Sequence, residues 1–174
     1  YDNTCINGQG IVSQYVLQYK DGIKKYFAAD GRLLKKVDRF GNAIEYQHTL
    51  INNYPVVTRI IDSLNREVTI NYNFAHLQVV VNAPDDKRIV YSLAQEYQHY
   101  NPNKENELIY TYGYLVTERK DFENRSVKYQ YTYRDDLYMR GDSVCIYPAS
   151  MKKLNKITYP TGAYTEYTYK GVFR

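Results

Sequence analysis

The chain has 174 residues, a formal net charge of +4 from 23 basic and 19 acidic residues, and 22 tyrosines but no tryptophan. This length suits one ordinary domain or one stretch of a repeat array. The basic residues are scattered, which argues against a nucleic-acid footprint. No apolar stretch approaches the roughly 18 residues that a membrane-spanning helix needs.

The two cysteines, Cys5 and Cys145, lie far apart in the sequence and fit no metal-ligand spacing. A disulfide in an exported protein and two separate thiols both remain open. Because the chain begins at Tyr1 rather than Met, we interpret it as a piece of a longer protein, so that the lack of a signal peptide says little about export.

Turn-forming residues recur about every twenty residues, and a second series lies midway between them. The first series is Asp21-Gly22, Gly41-Asn42, Asn65, Pro84-Asp85-Asp86, Pro102-Asn103, Asn124, Gly141 and Gly162. The second series includes Asp30-Gly31, Asn52-Asn53, Asn73, Tyr112-Gly113, Arg134-Asp135-Asp136 and Ser150. Short alternating runs between closely spaced turns are typical of antiparallel β-structure. The sequence therefore predicts an all-β fold, an antiparallel meander of repeated β-hairpins with two strands per repeat.

Four of the turns are followed, three positions later, by a run in which every second residue is apolar or aromatic. Since side chains alternate across a strand, each run predicts one apolar face and one polar face. The apolar faces are Ile44, Tyr46 and His48; Val68, Ile70 and Tyr72; Val127, Tyr129 and Tyr131; and Thr165, Tyr167 and Tyr169. Aromatic residues at equivalent positions of successive repeats are expected to form ladders.

The turns themselves have a local explanation. Glycine adopts a positive φ without a Cβ penalty, and asparagine tolerates it better than most residues. An aspartate three positions earlier can accept hydrogen bonds from turn amides. We therefore interpret these residues as structural turn residues of the repeat: Asp38, Gly41, Asp62, Asn65, Asp121, Asn124 and Gly162.

Two regions disturb the spacing and are predicted to be longer, irregular loops, near residues 95–107 and 137–151. Loops tend to carry binding residues, so candidate binding residues are Tyr97, His99 and Tyr100 in the first region. The second region contains Arg140-Gly141-Asp142, a tripeptide that resembles the integrin-recognition motif. With no linker between the repeats, residues 1–174 are predicted to form a single domain.

These residues resemble the YD-repeat, or Rhs-repeat, family of large exported bacterial proteins. The likeness covers most of Val16 to Tyr169 and is strongest in residues 20–74. The segments that carry it are Lys20-Asp21-Gly22, Lys25-Tyr26-Phe27, Asp30-Gly31-Arg32-Leu33, Val37-Asp38-Arg39-Phe40-Gly41-Asn42, Ile61-Asp62-Ser63-Leu64-Asn65-Arg66 and Ile157-Thr158-Tyr159-Pro160-Thr161-Gly162. The Gly-Arg-Leu part of the family pattern is intact only at residues 31–33.

The resemblance implies a curved or spiralling sheet that closes into a shell around a C-terminal toxin or effector domain. It thus implies a scaffold that is secreted or lies at the bacterial cell surface. The implied partners are the rest of the parent polypeptide and its enclosed or attached effector, with self-association through open strand edges. The alternative is an adhesion or carbohydrate-binding module that recognises a glycan or a cell-surface receptor.

Nothing in the sequence predicts an enzyme. The histidines His48, His76 and His99 share no metal-ligand spacing, and no nucleophile, phosphate-loop or metal motif is present. His48 continues the face of Tyr46, which favours a packed or surface ring over a catalytic one. We therefore expect no catalytic residue, no cofactor, no metal and no nucleic-acid partner.

Overall fold

The computed structural model describes residues 1, 3–99, 110–133, 136–140, 143–147 and 152–169. Within these ranges the regular elements are fourteen β-strands and one short 3-10 turn, Phe74–His76. The strands are β1 (Tyr15–Gln18), β2 (Lys24–Phe27), β3 (Leu33–Val37), β4 (Ala43–Ile51), β5 (Tyr54–Asp62), β6 (Glu67–Asn73), β7 (Gln78–Asn82), β8 (Arg88–His99), β9 (Tyr110–Lys120), β10 (Ser126–Tyr133), β11 (Asp136–Arg140), β12 (Ser143–Tyr147), β13 (Lys152–Thr158) and β14 (Tyr164–Glu166).

Twelve strands form one sheet in which sequence neighbours are also spatial neighbours. The order runs from β1 to β10 and continues with β13 and β14, while β11 and β12 pair only with each other as a separate hairpin. The strand pairs are antiparallel, as in β4 with β5 and β8 with β9. The prediction of an all-β antiparallel meander is confirmed.

The chain comprises two compact units. Unit 1 contains Tyr1–Tyr72 and Val80–Arg88, and unit 2 contains Asn73–Val79 and Ile89–Arg174.

Seven turns share one backbone design. In each, the first residue accepts a hydrogen bond from the amide of the fourth and donates one to the carbonyl of the fifth, as Asp62 does with Asn65 and Arg66. The fourth residue has a positive φ, which is 59° at Asn65 and 90° at Gly41. This is a tight turn followed by a left-handed residue, a common hairpin connection. The seven turns begin at Asn7, Tyr19, Ala28, Asp38, Asp62, Asp121 and Tyr159.

Burial follows the predicted alternation most clearly in β10. Val127, Tyr129 and Tyr131 are half-buried, whereas Lys128 and Gln130 between them are exposed. In β4 the polar positions Glu45 and Gln47 are also half-buried, because the N-terminal segment lies against them: the Gly8 amide donates to Glu45 Oε1 at 2.8 Å.

The best-enclosed residues of unit 1 lie near this N-terminal segment. Leu34 is fully buried and Ala28 nearly so. The segment is fixed by a backbone hydrogen bond from Gln14 to the Phe27 carbonyl at 2.8 Å and by contacts with β4. A small core therefore forms where the N-terminal residues meet β2, β3 and β4.

The two regions expected to be irregular loops contain strands. Residues 95–99 belong to β8, and residues 137–140 and 143–147 belong to the paired strands β11 and β12. Gly113, expected at a turn, lies within β9, opposite Glu96 of β8. Pairing with a neighbouring strand determines the secondary structure of these segments. Local turn signals do not reveal where a long partner strand continues.

Candidate functional site

The aspartates at the turns hold backbone amides. Asp62 Oδ1 accepts hydrogen bonds from the Leu64 amide at 2.9 Å and the Arg66 amide at 3.0 Å. Its Oδ2 accepts a hydrogen bond from Arg66 Nε at 2.7 Å. Asp121 makes the same set with Glu123 and Arg125, and Asp38 bonds the amides of the corresponding residues in the first of these turns.

These bonds stabilise the charged form of each carboxylate. The side-chain hydrogen bond from Arg66 lowers the pKa of Asp62 below its ordinary value of 3.8. At Asp121, desolvation acts to raise the pKa, but the hydrogen bonds from Arg125 and Glu123 outweigh it and lower the pKa overall. Such carboxylates remain ionised at neutral pH, so they suit a structural role better than proton transfer.

A β-bulge recurs in the strand that precedes each aromatic run. In β5, Thr58 is the extra residue between pairs made by Val57 and Arg59. In β9 the extra residue is Thr117, and in β13 it is Asn155. A bulge disrupts the ladder locally and increases the twist of its strand.

A tyrosine hydroxyl secures each of these three bulges. The hydroxyls of Tyr72, Tyr131 and Tyr169 donate to backbone carbonyls at 3.1, 2.7 and 2.7 Å, respectively. Each acceptor immediately precedes the extra residue and lies 15 positions before the tyrosine: Val57, Val116 and Leu154. We call this arrangement the tyrosine clamp. Burial raises the pKa of Tyr72 and Tyr131, so both clamps keep their proton at neutral pH.

The tyrosine clamp was not foreseen from the sequence, which predicted only ladders of aromatic residues at equivalent positions of successive repeats. The signal was present as a tyrosine seven positions after the positive-φ residue. Its partner depends on bulges, whose positions only the strand register reveals.

Unit 2 contains an ion pair whose carboxylate is buried. Lys152 Nζ lies 2.6 Å from Glu96 Oε2, and the exposed fractions of the two side chains are 26% and 7%. The two partners are 56 residues apart in sequence, so no local pattern links them.

Beside this ion pair lies a cleft of about 410 Å³. Its polar lining includes Lys152, Gln130 and Asn155, and its aromatic lining includes Tyr129 and Tyr131. Asn155 Oδ1 is buried without a hydrogen-bond partner.

The predicted binding residues are placed only in part. Tyr97 and His99 lie in β8, in register with Tyr112 and Tyr110 of β9, and Arg140 ends β11. Tyr100, Gly141 and Asp142 lie outside the described residues.

Within the described ranges no group of three or more His, Cys, Asp or Glu side chains could hold a metal ion. In the same part of the chain, no helix is long and apolar enough to cross a membrane.

The fold is that of an all-β antiparallel meander in which the same turn, bulge and clamp recur. No family model matches the chain, and a search of curated proteins gave no match. The likeness to YD repeats thus rests on the residues quoted above.

Replacing Tyr131 by Phe should lower the free energy of unfolding by about 1 kcal/mol, the usual net value of one hydrogen bond. The change leaves the ring in place and removes only the hydroxyl that bonds the Val116 carbonyl. Urea denaturation provides the measurement, with Tyr129→Phe on the same strand as control. Equal stabilities for the two variants would show that the clamp contributes nothing.

Proposed function

We propose that this chain is a structural segment of a YD- or Rhs-repeat scaffold in an exported bacterial protein. The scaffold helps to enclose or present a toxin or effector domain and has no catalytic role of its own. One observation carries the proposal: the same unit of turn, aromatic strand and clamped bulge recurs along the chain. Such regular repetition builds an extended surface, whereas a catalytic site needs one local constellation.

The bulges also support the finer shape of the proposed scaffold. Each bulge increases the right-handed twist of its strand, and three of the bulges are bonded by a clamp tyrosine at an equivalent place. Distortions of one kind that recur along an array add to one another. They provide a physical basis for a curved or spiralling sheet in a longer chain.

Strand edges support the proposed partners. Among the described strands, β14 lies at one edge of the sheet, and the backbone groups of an edge strand pair readily with another strand. In the proposed parent protein, the next repeat occupies this edge. In the isolated chain, self-association through the edge takes its place.

The scaffold can be tested in the intact parent protein. We expect the flanking reading frame to encode more repeats and a C-terminal effector domain. In the folded product, this domain should resist a protease that cuts it readily when it is expressed alone. A variant that disrupts two turns, Asp62→Ala with Asp121→Ala, should expose the domain to cleavage, while Asn71→Ala on an exposed strand position should not. Equal cleavage of the enclosed and separate domains would contradict the proposal.

The cleft in unit 2 supports a second candidate function, that of a carbohydrate-binding module. Tyrosine rings beside amide and ammonium groups can stack on a sugar ring and bond its hydroxyls. A glycan array separates the two functions. Reproducible micromolar binding that Tyr129→Ala abolishes and Tyr46→Ala preserves would favour the module, and the scaffold predicts no such binding.

A further inference from the structure

His48 lies in the strand that follows the turn at Gly41. It occupies there the position that a clamp tyrosine holds in three other repeats. It lies seven residues after Gly41, as Tyr72 lies seven after Asn65. The strand before it, β3, carries a matching bulge, because Tyr26 pairs with Lys35 and Phe27 with Leu33. The extra residue of this bulge is the fully buried Leu34, and the carbonyl equivalent to the clamp acceptors belongs to Leu33, 15 positions before His48.

The imidazole is enclosed and incompletely bonded. His48 is only 8% exposed, and its Nδ1 atom is buried without a hydrogen-bond partner. Its backbone is held from outside the sheet: Gln9 Oε1 accepts from the His48 amide, and Gln9 Nε2 donates to the His48 carbonyl, both at 2.8 Å. The side chain therefore has little freedom to move towards solvent if it gains a charge.

The charges around the ring disfavour a second proton. Burial and the positive charge of Arg32 lower the pKa of His48 below its ordinary value of 6.5, and they outweigh the upward effects of Asp30 and the Tyr46 backbone. Arg32 and Asp30 come from the turn before β3 and form an ion pair with each other at 2.9 Å. The other contacts are neutral: Gln9 from the N-terminal segment, and Val57 opposite His48 in β5.

We propose that His48 is a proton-sensitive replacement for the clamp tyrosine, so that mild acidification loosens the first repeat and the N-terminal segment bonded to it. A tyrosine clamp keeps its proton throughout this pH range, but a buried imidazole must take up a charge. The inference depends on the repeat geometry and the burial of His48, and it holds whether or not the scaffold function is correct.

The sign of the pH effect follows from linkage. Because the folded chain binds this proton less readily than the unfolded chain, stability is full above about pH 6.5 and falls as the pH drops below it. The turn aspartates affect the pH dependence of stability at a lower pH, since their pKa values lie below 3.8. Between pH 7 and pH 5, histidine is therefore the side chain whose charge changes most.

The test compares unfolding of the whole chain in urea at pH 7 and pH 5 for the wild type, His48→Gln and His76→Gln. We expect the unfolding equilibrium constant of the wild type to rise severalfold at pH 5, with about 25-fold as the limit for one such group. His76 is exposed, so His76→Gln should behave like the wild type, whereas His48→Gln should lose the pH dependence. Equal pH dependence in His48→Gln and the wild type would overturn the proposal.

A second measurement decides the matter if His48→Gln does not fold. The chain has three histidines, so the variant His76→Gln with His99→Gln leaves His48 as the sole imidazole. Its ring signals can be followed by NMR as the pH is lowered. A titration midpoint below 6.5 supports the proposal, and a midpoint at or above 6.5 rejects it.

Discussion

Replacing Lys152 by Met is expected to lower the free energy of unfolding by about 3 kcal/mol, the lower end of the range for breaking a buried ion pair. The Glu96 side chain is only 7% exposed, and Lys152 Nζ lies 2.6 Å from its carboxylate. Removing the ammonium group takes a full charge away from a poorly solvated carboxylate. We choose the lower end because Lys152 itself is about a quarter exposed.

Two further variants test whether loss of the ion pair causes this change in stability. Lys128→Met removes an ammonium group from an exposed position of β10 and should change stability by less than about 0.5 kcal/mol. The double variant Glu96→Met with Lys152→Met should recover most of the loss, because apolar replacements of a buried pair are often neutral. If the double variant is no more stable than Lys152→Met alone, the loss comes from packing rather than from the broken ion pair.

Replacing Leu34 by Ala is expected to cost about 3 kcal/mol, within the usual range for truncating a buried leucine. Leu34 has an exposed fraction of 0% and is the extra residue of the first bulge. Few large side chains in the described part of unit 1 are so enclosed, so the remaining core can compensate little for the cavity. Urea unfolding at pH 7 measures the change.

Leu50→Ala is the matched control for this prediction. Leu50 also lies in a strand of unit 1 but is 62% exposed, so its truncation should change stability by about 0.5 kcal/mol or less. A comparable loss in both variants would show that burial at the bulge does not determine the stability of this unit. A loss confined to Leu34→Ala would place the main packing contribution near the N-terminal segment.

The turns and the fold class could be predicted from the sequence because both depend on local properties. A positive φ at Gly41 or Asn65 requires a residue that tolerates it. Asp38 and Asp62 lie at the fixed spacing that lets a carboxylate reach the amides of its own turn. Alternation of side chains along β10 identified its two faces for the same reason, since neighbouring residues of a strand point to opposite sides.

Positions of the bulges, and hence the clamps, could not be predicted in this way. A bulge is a mismatch between two paired strands, so it exists only once their register is set. The register of β8 with β9 made Thr117 the extra residue and thereby gave Tyr131 its acceptor. It also placed Gly113 within a strand, although glycine alone favours a turn.

By itself, the sequence determined that this chain is an antiparallel β-meander with tight turns at regular intervals, because turn conformation and strand alternation are encoded within a few residues. Only the tertiary structure decided that Glu96 meets Lys152 and that Gln9 holds the backbone of His48. These partners are 56 and 39 residues apart. Contacts at such separations arise from the pairing of whole strands, which sets the environment, the charge and the burial of each side chain.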